Sequence, residues 1–209
     1  PGAAVICAKA ALKTGVGLLK CVFPRSVYPV MTSHLVQPVF SPVSENEEKT
    51  LSIGSLNRIT EELEWADCVA IGCGLGKNDD TQVIVNQVIR SSEDPVVLDA
   101  DRIHIAKQCA AENSCVLVLK GANTVVTDGN SVFVNVTGNP GMAMGGTGDM
   151  LTGMIGSFIA QGMDCYSAAK CAVYIHGLCG DITAQEISTR GMTIEDMLDL
   201  LGALMSEFE

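Results

Sequence analysis

Apolar residues recur along this chain at two different spacings, which predict strands and helices in succession. Short continuous apolar runs indicate buried strands, and apolar positions three to four residues apart indicate helices. The predicted strands cover 16–23, 68–71, 95–101, 115–119, 125–127 and 131–136, and the predicted helices cover 1–12, 56–65, 81–90, 102–112, 150–161, 166–186 and the stretch after Thr193. Residues 24–55 are polar and rich in Pro and Ser, so we expect them to be irregular. This alternation predicts an α/β fold, a three-layer α/β/α sandwich with a mostly parallel central sheet.

Short local signals mark where several of these elements begin and end. Gly162 is expected to end the helix that precedes it, and Asp164 to cap the next one. The pair Asp128-Gly129 suits the tight turn of a hairpin, and Thr193 with Asp196 resembles a capping box for the last helix.

The segment 137–149 holds five glycines and one proline and runs directly into an apolar helix. A helix that begins this way exposes free backbone N–H groups at the positive end of its dipole, which is a typical phosphate site. Asp149 lies in or just before the first helical turn, where it would repel phosphate unless it handles the proton of a hydroxyl that meets the phosphate there. The alternative is that Asp149 is an ordinary N-cap residue.

Three other strand ends carry candidate chemistry. Gly72, Gly74 and Gly76 follow a strand, but their spacing is not that of a dinucleotide fingerprint, so either a ligand approaches the backbone there or the loop is a structural turn. Lys120 begins a small-residue turn and either reaches a phosphate or lies exposed to solvent. Asp99 and Asp101 end another strand, where they suit a metal or a hydroxyl, or the capping of a helix.

Composition narrows the range of functions. A length of 209 residues suits a single domain, and the net charge of −11 argues against nucleic-acid binding. No apolar run reaches transmembrane length, so no membrane partner is expected. The nine cysteines, among them Cys68, Cys109, Cys115, Cys171 and Cys179, lie in apolar segments without paired spacing. They suggest small buried apolar residues in a reducing cytoplasm, with neither a disulfide framework nor a zinc site.

Five stretches occur in this order: GAAVICAKAALKTGVGLL, VAIGCGLG, VVLDAD, KGANTVV and GNPGMAMGGTGDMLTGMIGSFIAQG. Together they resemble the ADP/ATP-dependent NAD(P)H-hydrate dehydratases, which are ribokinase-like, and the resemblance covers nearly the whole chain. It implies a lyase that repairs hydrated NADH and NADPH by phosphorylating the ring hydroxyl and eliminating phosphate. ADP or ATP is implied as the co-substrate with Mg²⁺ as its counter-ion, together with a cytoplasmic homotetramer and an epimerase that acts on the same substrate.

The resemblance also implies roles for individual residues. Asp149 corresponds to the catalytic acid that contacts the hydrated substrate and would activate its hydroxyl. The positions implied to bind nucleotide are Lys120, Gly121, Ala122, Asn123, Thr124, Gly146, Thr147 and Gly148. The positions implied to bind the hydrated dinucleotide are Ala3, Ala4, Gly74, Gly76, Asn139 and Asp149.

The chain departs from the family pattern in three places. Cys73 replaces a proline, which removes rigidity but no functional group. The chain opens on Pro-Gly, so we expect further residues upstream. The sequence also passes directly from Ala100 to Asp101, where the family has several dozen residues, and we expect that an internal segment is missing there. Two other functions remain open: a ribokinase-like kinase for a vitamin-precursor alcohol, and a non-catalytic nucleotide-binding subunit.

Overall fold

The computed structural model describes residues 1–76, 78–92, 95–98 and 115–208. The helices are α1 (Gly2–Lys13), α2 (Tyr28–His34), α3 (Leu56–Leu63), α4 (Asp79–Ser91), α5 (Thr147–Ala160), α6 (Cys165–Glu186) and α7 (Ile194–Met205). The strands are β1 (Lys20–Pro24), β2 (Val39–Val43), β3 (Val69–Ile71), β4 (Val96–Leu98), β5 (Leu117–Leu119), β6 (Val125–Thr127) and β7 (Val132–Val134). Short 3₁₀ turns occupy Arg25–Val27, Ile53–Ser55, Pro140–Met142 and Ser206–Phe208.

The described strands form three hydrogen-bonded ladders. β1 pairs with β2 and β3 pairs with β4, both in parallel. β5, β6 and β7 form an antiparallel meander with β6 in the middle. The parallel pairs are the ones joined through helices, as parallel strands require.

Strand β3 shows why helices cover both faces of the strands. Val69 and Ile71 pack into a cluster with apolar residues of α3 and α4. Ala70 points the other way, because a Cβ added at Gly156 of α5 would lie 3.7 Å from the Ala70 Cβ. Since successive side chains of a strand point to opposite faces, helices are required on both sides. This arrangement confirms the predicted α/β/α sandwich.

The largest core cluster lies around α5. Met150 and Met154 on α5 are completely buried, as are Met197 and Leu201 on α7. They pack with the small residues of α6 and with the buried Val126 of β6. α5 is therefore held from several sides, which fixes the position of its first turn.

An ionic network ties β1, β2 and α3 together. The buried carboxylate of Glu62 pairs with Lys20 on β1 and accepts a hydrogen bond from the Ser41 hydroxyl on β2 at 2.8 Å. Arg58, one turn earlier on α3, lies 2.6 Å from the same carboxylate. The lysine hydrogen bond, more than the serine bond or the nearby charges, keeps the pKa of Glu62 below its usual value despite burial. The charge of Glu62 is thus paired where it would otherwise be costly.

The local sequence signals are confirmed. Gly162 adopts φ +92° just after α5, and the Asp164 carboxylate accepts a hydrogen bond from the Ser167 N–H. Gly129 adopts φ +90° in the β6–β7 hairpin. Thr193 and Asp196 form a reciprocal capping box at the start of α7.

One prediction about the rest of the chain needs correction, and two others are not tested. Residues 24–55 are not irregular, because they contain α2 and β2. Pro29 stands in the first turn of α2, where it is tolerated because its missing N–H needs no intrahelical partner, and β2 is a full partner of β1. The predicted helix 102–112 and the carboxylates of Asp99 and Asp101 lie outside the described residues.

The prediction that the cysteines are buried, unpaired residues is only partly confirmed. The eight in the described part of the chain are free thiols. Cys179 is buried, but the other seven of these are half-buried, so they are more accessible than small core residues would be. Within the described ranges, no helix combines the length and apolar character that a bilayer span requires.

Candidate functional site

The first turn of α5 is built as the sequence predicts for an anion site. Gly146 is the N-cap residue and adopts φ +99°, a left-handed conformation that favours glycine. Having no side chain, Gly146 cannot cap the helix itself, and helix geometry leaves the first N–H groups without intrahelical acceptors. Thr147, Gly148 and Asp149 follow as the first three helical residues. Asp149 is thus not the N-cap residue, and that alternative interpretation is wrong.

Helix α1 packs directly on this turn through glycines. A Cβ added at Gly146 would lie 2.6 Å from the Ile6 Cδ1, and one added at Gly153 would overlap the carbonyl oxygen of Cys7. The absence of side chains at these two positions lets α1 and α5 approach closely. Asp149 stands one turn before Gly153, so its backbone position depends on this contact.

The loop 72–76 and the start of α1 meet beside Asp149. Gly72, Gly74 and Gly76 adopt φ values of +126°, +71° and +82°, so all three glycines are conformationally required. A Cβ added at Gly74 would lie only 3.2 Å from the Cβ of Ala3. Two residues that the resemblance places at the dinucleotide site, Ala3 and Gly74, are therefore neighbours.

Cys73 connects this loop to Asp149. Its thiol lies close enough to the Cys7 thiol and to the Asp149 carboxylate for both to act on it. The Cys7 contact, burial and the Asp149 charge together raise the pKa of Cys73 far above its usual range. Cys73 therefore remains a thiol, and its contacts place the loop against the acid on α5.

Two other predicted substrate positions lie at different ends of this region. Ala4, together with Gly72 and Cys73, lines a largely apolar cavity of about 650 Å³ between α1, α5 and strands β1 and β3. Gly76 faces away from α1, because a Cβ added there would lie 3.5 Å from the Thr50 Cγ2.

The turn 120–124 connects β5 to β6 and exposes its tip at 121–123. Asn123 adopts φ +59° and Gly121 φ +154°. The Thr124 hydroxyl accepts a bond from the Gly121 N–H and donates to the Gly121 carbonyl, at 3.3 and 3.0 Å. The turn is thus closed on itself, and Gly121, Ala122 and Asn123 are exposed at its tip.

His176 on α6 lies next to the first turn of α5, and none of the sequence motifs includes it. Its ring hydrogen-bonds to the backbone of Thr147, and its buried Nε2 has no hydrogen-bond partner. Burial and, to a smaller extent, the charge of Lys120 lower the pKa of His176 to about 4, against the opposite effect of the Thr147 bond. The ring is therefore neutral near pH 7, and it lies within electrostatic range of the Lys120 ammonium.

The sequence does carry a signal for His176. The following residue, Gly177, is buried, and a Cβ there would overlap the Thr137 hydroxyl and lie 2.7 Å from the Thr137 carbonyl carbon. A His-Gly pair inside a helix thus marks the place where α6 approaches the Gly-rich segment.

Asn139 is fully engaged with α6. Its amide nitrogen donates to the Gly180 carbonyl at 2.8 Å and to Asp181 at 3.0 Å, and its amide oxygen accepts from the Gly141 N–H at 2.9 Å. The Asp181 carboxylate also accepts from the Gly138 N–H. In the structure Asn139 anchors the Gly-rich segment, and its contact with a substrate stays a prediction.

The described residues supply no dedicated metal cage, since no group of three or more His, Cys, Asp or Glu side chains among them could hold an ion. An ion such as Mg²⁺, which keeps most of its water and binds phosphates readily, needs no such cage. A cation that enters together with a nucleotide is therefore compatible with these residues.

The chain is similar in sequence to proteins named for the dehydration and repair of NAD(P)H hydrate. The profile of the NAD(P)H-hydrate dehydratase family matches residues 1–104 and 100–202. Two relatives, both bifunctional NAD(P)H-hydrate repair enzymes Nnr, come from Thermofilum pendens and Moorella thermoacetica. They are 29% and 32% identical over 255 and 252 residues, which include 100% of this chain and 49% and 47% of the relatives. The chain thus spans about half the length of these relatives.

Solved structures show the same likeness. The ADP/ATP-dependent NAD(P)H-hydrate dehydratase of Bacillus subtilis, co-crystallised with ATP and Mg²⁺, superposes with a TM-score of 0.81 at 26% identity, covering 100% of this chain and 86% of that one. A hydroxyethylthiazole kinase from Pyrococcus horikoshii gives a TM-score of 0.63 at 17% identity over 94% and 92% of the two chains, which shows a shared fold alone. With a family profile matching nearly its whole length, this chain belongs to the NAD(P)H-hydrate dehydratase family.

Proposed function

We propose that this chain dehydrates hydrated NADH or NADPH at the expense of ADP or ATP, and that the reaction takes place at the first turn of α5. One observation carries the proposal: this single turn is flanked by two sets of residues. Cys73 and the Ala3–Gly74 contact adjoin it near Asp149, and His176, within electrostatic range of Lys120, adjoins it at Thr147. A phosphoryl donor and a hydroxyl acceptor need such a shared junction, because the reacting atoms must be held within about 3–3.5 Å of each other.

On the nucleotide side, the N–H groups of Gly146, Thr147 and Gly148 face the transferring phosphoryl group. They act with the positive end of the α5 dipole, and the ammonium of Lys120 adds a point charge. The exposed backbone of 121–124 contacts the rest of the nucleotide. Neutral His176 holds the Thr147 backbone through its ring hydrogen bond, which keeps the donors in place without adding charge.

On the substrate side, Asp149 accepts the proton of the hydroxyl on the hydrated nicotinamide ring. The hydroxyl oxygen then attacks the terminal phosphorus of the nucleotide, and AMP leaves from ADP or ADP from ATP. Phosphate is a far better leaving group than hydroxide, so its elimination restores the NAD(P)H ring. Ala3, Ala4, Gly74, Gly76 and Asn139 are the proposed contacts with the dinucleotide, and close backbone approach at Gly74 matches its lack of a side chain.

Mg²⁺ is proposed to arrive with the nucleotide phosphates, whose charge it neutralises when bound. The lack of an acidic cage among residues 1–76, 78–92, 95–98 and 115–208 fits an ion held mainly by phosphates and water. Support also comes from the Bacillus subtilis relative, which was crystallised with ATP and Mg²⁺.

The product of the reaction tests this function. The protein is incubated with hydrated NADH and either ADP or ATP, and the return of NADH absorbance is followed. Restored absorbance with stoichiometric release of phosphate is expected. Stable phosphorylation of an alcohol substrate without restored NADH would identify a small-molecule kinase. Nucleotide binding without turnover of either kind would identify a non-catalytic subunit.

The single domain 1–209 is proposed to lack an internal segment between Ala100 and Asp101. Two features support this: the family profile matches in two stretches that meet at residues 100–104, and the alignment with the first relative runs over 255 residues for a chain of 209. Trypsin should release residues 91–102 as one peptide if the junction is genuine. Detection of that peptide from the natural protein by mass spectrometry would refute the proposal.

Partners and assembly are proposed from the family. We expect a cytoplasmic homotetramer and an epimerase that acts on the same hydrate, since the relatives are called bifunctional repair enzymes and are about twice as long. Light scattering of the purified chain measures the assembly, and a monomer would contradict it.

A further inference from the structure

Two thiols meet beside the acid on α5. Cys7 on α1 and Cys73 in the loop 72–76 line the same cavity, close enough to interact, and the Asp149 carboxylate also acts on Cys73. Neither the predicted fold nor the proposed reaction needs this pair, since Cys73 adds a functional group where a proline would have none.

The helix and the loop that carry the two cysteines adjoin each other. Cys7 stands one turn after Ala3 on the same face of α1, and Cys73 directly precedes Gly74. A Cβ at Gly74 would lie 3.2 Å from the Cβ of Ala3, so the helix and the loop are already in contact. A disulfide needs Cα atoms about 4.4–6.8 Å apart, which adjoining backbones of this kind permit.

Small molecules have access to both sulfur atoms. Cys7 and Cys73 are half-buried, and both line the wall of the cavity between α1, β1 and β3. An oxidant of the size of hydrogen peroxide therefore needs no unfolding to reach them.

We propose that Cys7 and Cys73 form a reversible disulfide when the protein meets a hydroperoxide, and that this bond switches off the site at Asp149. Cys73 is held as a thiol by its neighbours, so the first attack on the peroxide oxygen is assigned to Cys7. This step gives a sulfenic acid on Cys7 and releases water or an alcohol.

The second step joins the two sulfur atoms. The Cys73 sulfur attacks the Cys7 sulfur, Asp149 takes the Cys73 proton and passes it to the sulfenic oxygen, and that oxygen leaves as water. Two thiols and one hydroperoxide thus yield one disulfide, one alcohol or water and one further water, with two electrons passing to the peroxide bond. Asp149 is adjacent to the proton it must receive.

The consequence for turnover rests on the proposed function. A disulfide would tie the loop 72–76 to α1 and remove the thiol that contacts Asp149, at the place where the dinucleotide is proposed to enter. We expect oxidation to lower the dehydration rate by at least about tenfold, on the scale of losing a positioned acid or base.

The bond itself is tested by mass spectrometry, independently of any activity. The protein is treated with hydrogen peroxide, blocked with an alkylating reagent and digested with trypsin. The expected product links residues 1–9 to residues 59–77, with fragmentation locating the bond at Cys73 rather than at Cys68. Cys21 also lies near Cys7, so a bond from Cys7 to Cys21 is the competing product. That product, or no linked peptide at all, would overturn the assignment.

Activity is compared in matched variants. Cys7→Ser should keep its rate within about twofold after peroxide treatment, whereas Cys165→Ser, at a half-buried position at the start of α6, should be inhibited like the unmodified protein. Dithiothreitol should restore the inhibited samples. A linked peptide with an unchanged rate would refute the switch. An unoxidised protein without turnover would instead refute the proposed function, while the peptide still tests the bond.

Discussion

A single methyl group at Gly153 should separate the two helices that position the site. An added Cβ would overlap the Cys7 carbonyl oxygen and lie 3.0 Å from the Ala10 Cβ and 3.1 Å from the Ala11 nitrogen. Optimal carbon contacts are about 3.5–4.0 Å, so α1 and α5 would have to move apart by on the order of 1 Å. Gly156, one turn later, is the matched control, because its added Cβ would find only Ala70, at 3.7 Å.

The two substitutions should change the free energy of unfolding in opposite directions. Alanine is favoured over glycine inside a helix by about 1 kcal/mol, a gain that Gly156→Ala should keep in large part. At Gly153 that gain is outweighed by overpacking and by weaker dispersion attraction between the separated helices, which together cost about 4 kcal/mol. We therefore expect Gly153→Ala to lose about 3 kcal/mol of unfolding free energy, which corresponds to roughly 6–12 °C in Tm for a chain of this size.

Urea titration followed by far-ultraviolet circular dichroism measures both variants. Gly153→Ala should unfold at clearly lower urea than the unmodified protein, and Gly156→Ala at equal or higher urea. If Gly153→Ala proved as stable as the unmodified protein, or if Gly156→Ala were destabilised equally, close α1–α5 contact would not be what sets the position of Asp149.

Three further changes probe other parts of the structure. Folding lowers the pKa of His176 from about 6.5 to about 4, so between these values the unfolded state binds more protons and stability falls as the pH drops. Between pH 7.5 and 5, the stability advantage of the unmodified protein over His176→Gln, measured by urea titration, should shrink by about 2 kcal/mol. Glu62→Gln leaves Lys20 without its buried partner and should cost about 3 kcal/mol, again by urea titration, and an unchanged midpoint would contradict the ionic network. Thr193→Ala removes the capping box of α7 and should lower the free energy of unfolding by about 1 kcal/mol. A Tm equal to that of the unmodified protein would show that the cap does not stabilise the fold.

The features that sequence reasoning predicted well are local ones. The turn at Gly129, the helix end at Gly162 and the capping box at Thr193 each depend on a few neighbouring residues, whose conformational preferences decide the outcome. The helix start at 146–148 was predictable for the same reason, since a Gly-rich run and an apolar helical run are adjacent in sequence.

The features that were missed depend on distant contacts. His176 acquires its importance only because α6 brings it to Thr147 and Lys120. Cys73 was expected to replace a proline without functional effect, yet folding brings its thiol close to Cys7 and Asp149. The segment 24–55 looked irregular because its strand is stabilised by pairing with β1 rather than by its own composition.

The claim that Asp149 is the proton acceptor at the shared junction is tested most directly by Asp149→Asn. The asparagine keeps the shape of the side chain but lacks the basic carboxylate. The account predicts that this variant binds ADP or ATP as the unmodified protein does, measured by calorimetry, while it restores NADH from the hydrate at least about 100-fold more slowly. Asp199→Asn, which changes an exposed acid on α7 that pairs only with Lys13 among the ion pairs of the described residues, serves as the control and should retain full turnover. Near-normal turnover of Asp149→Asn would contradict the account.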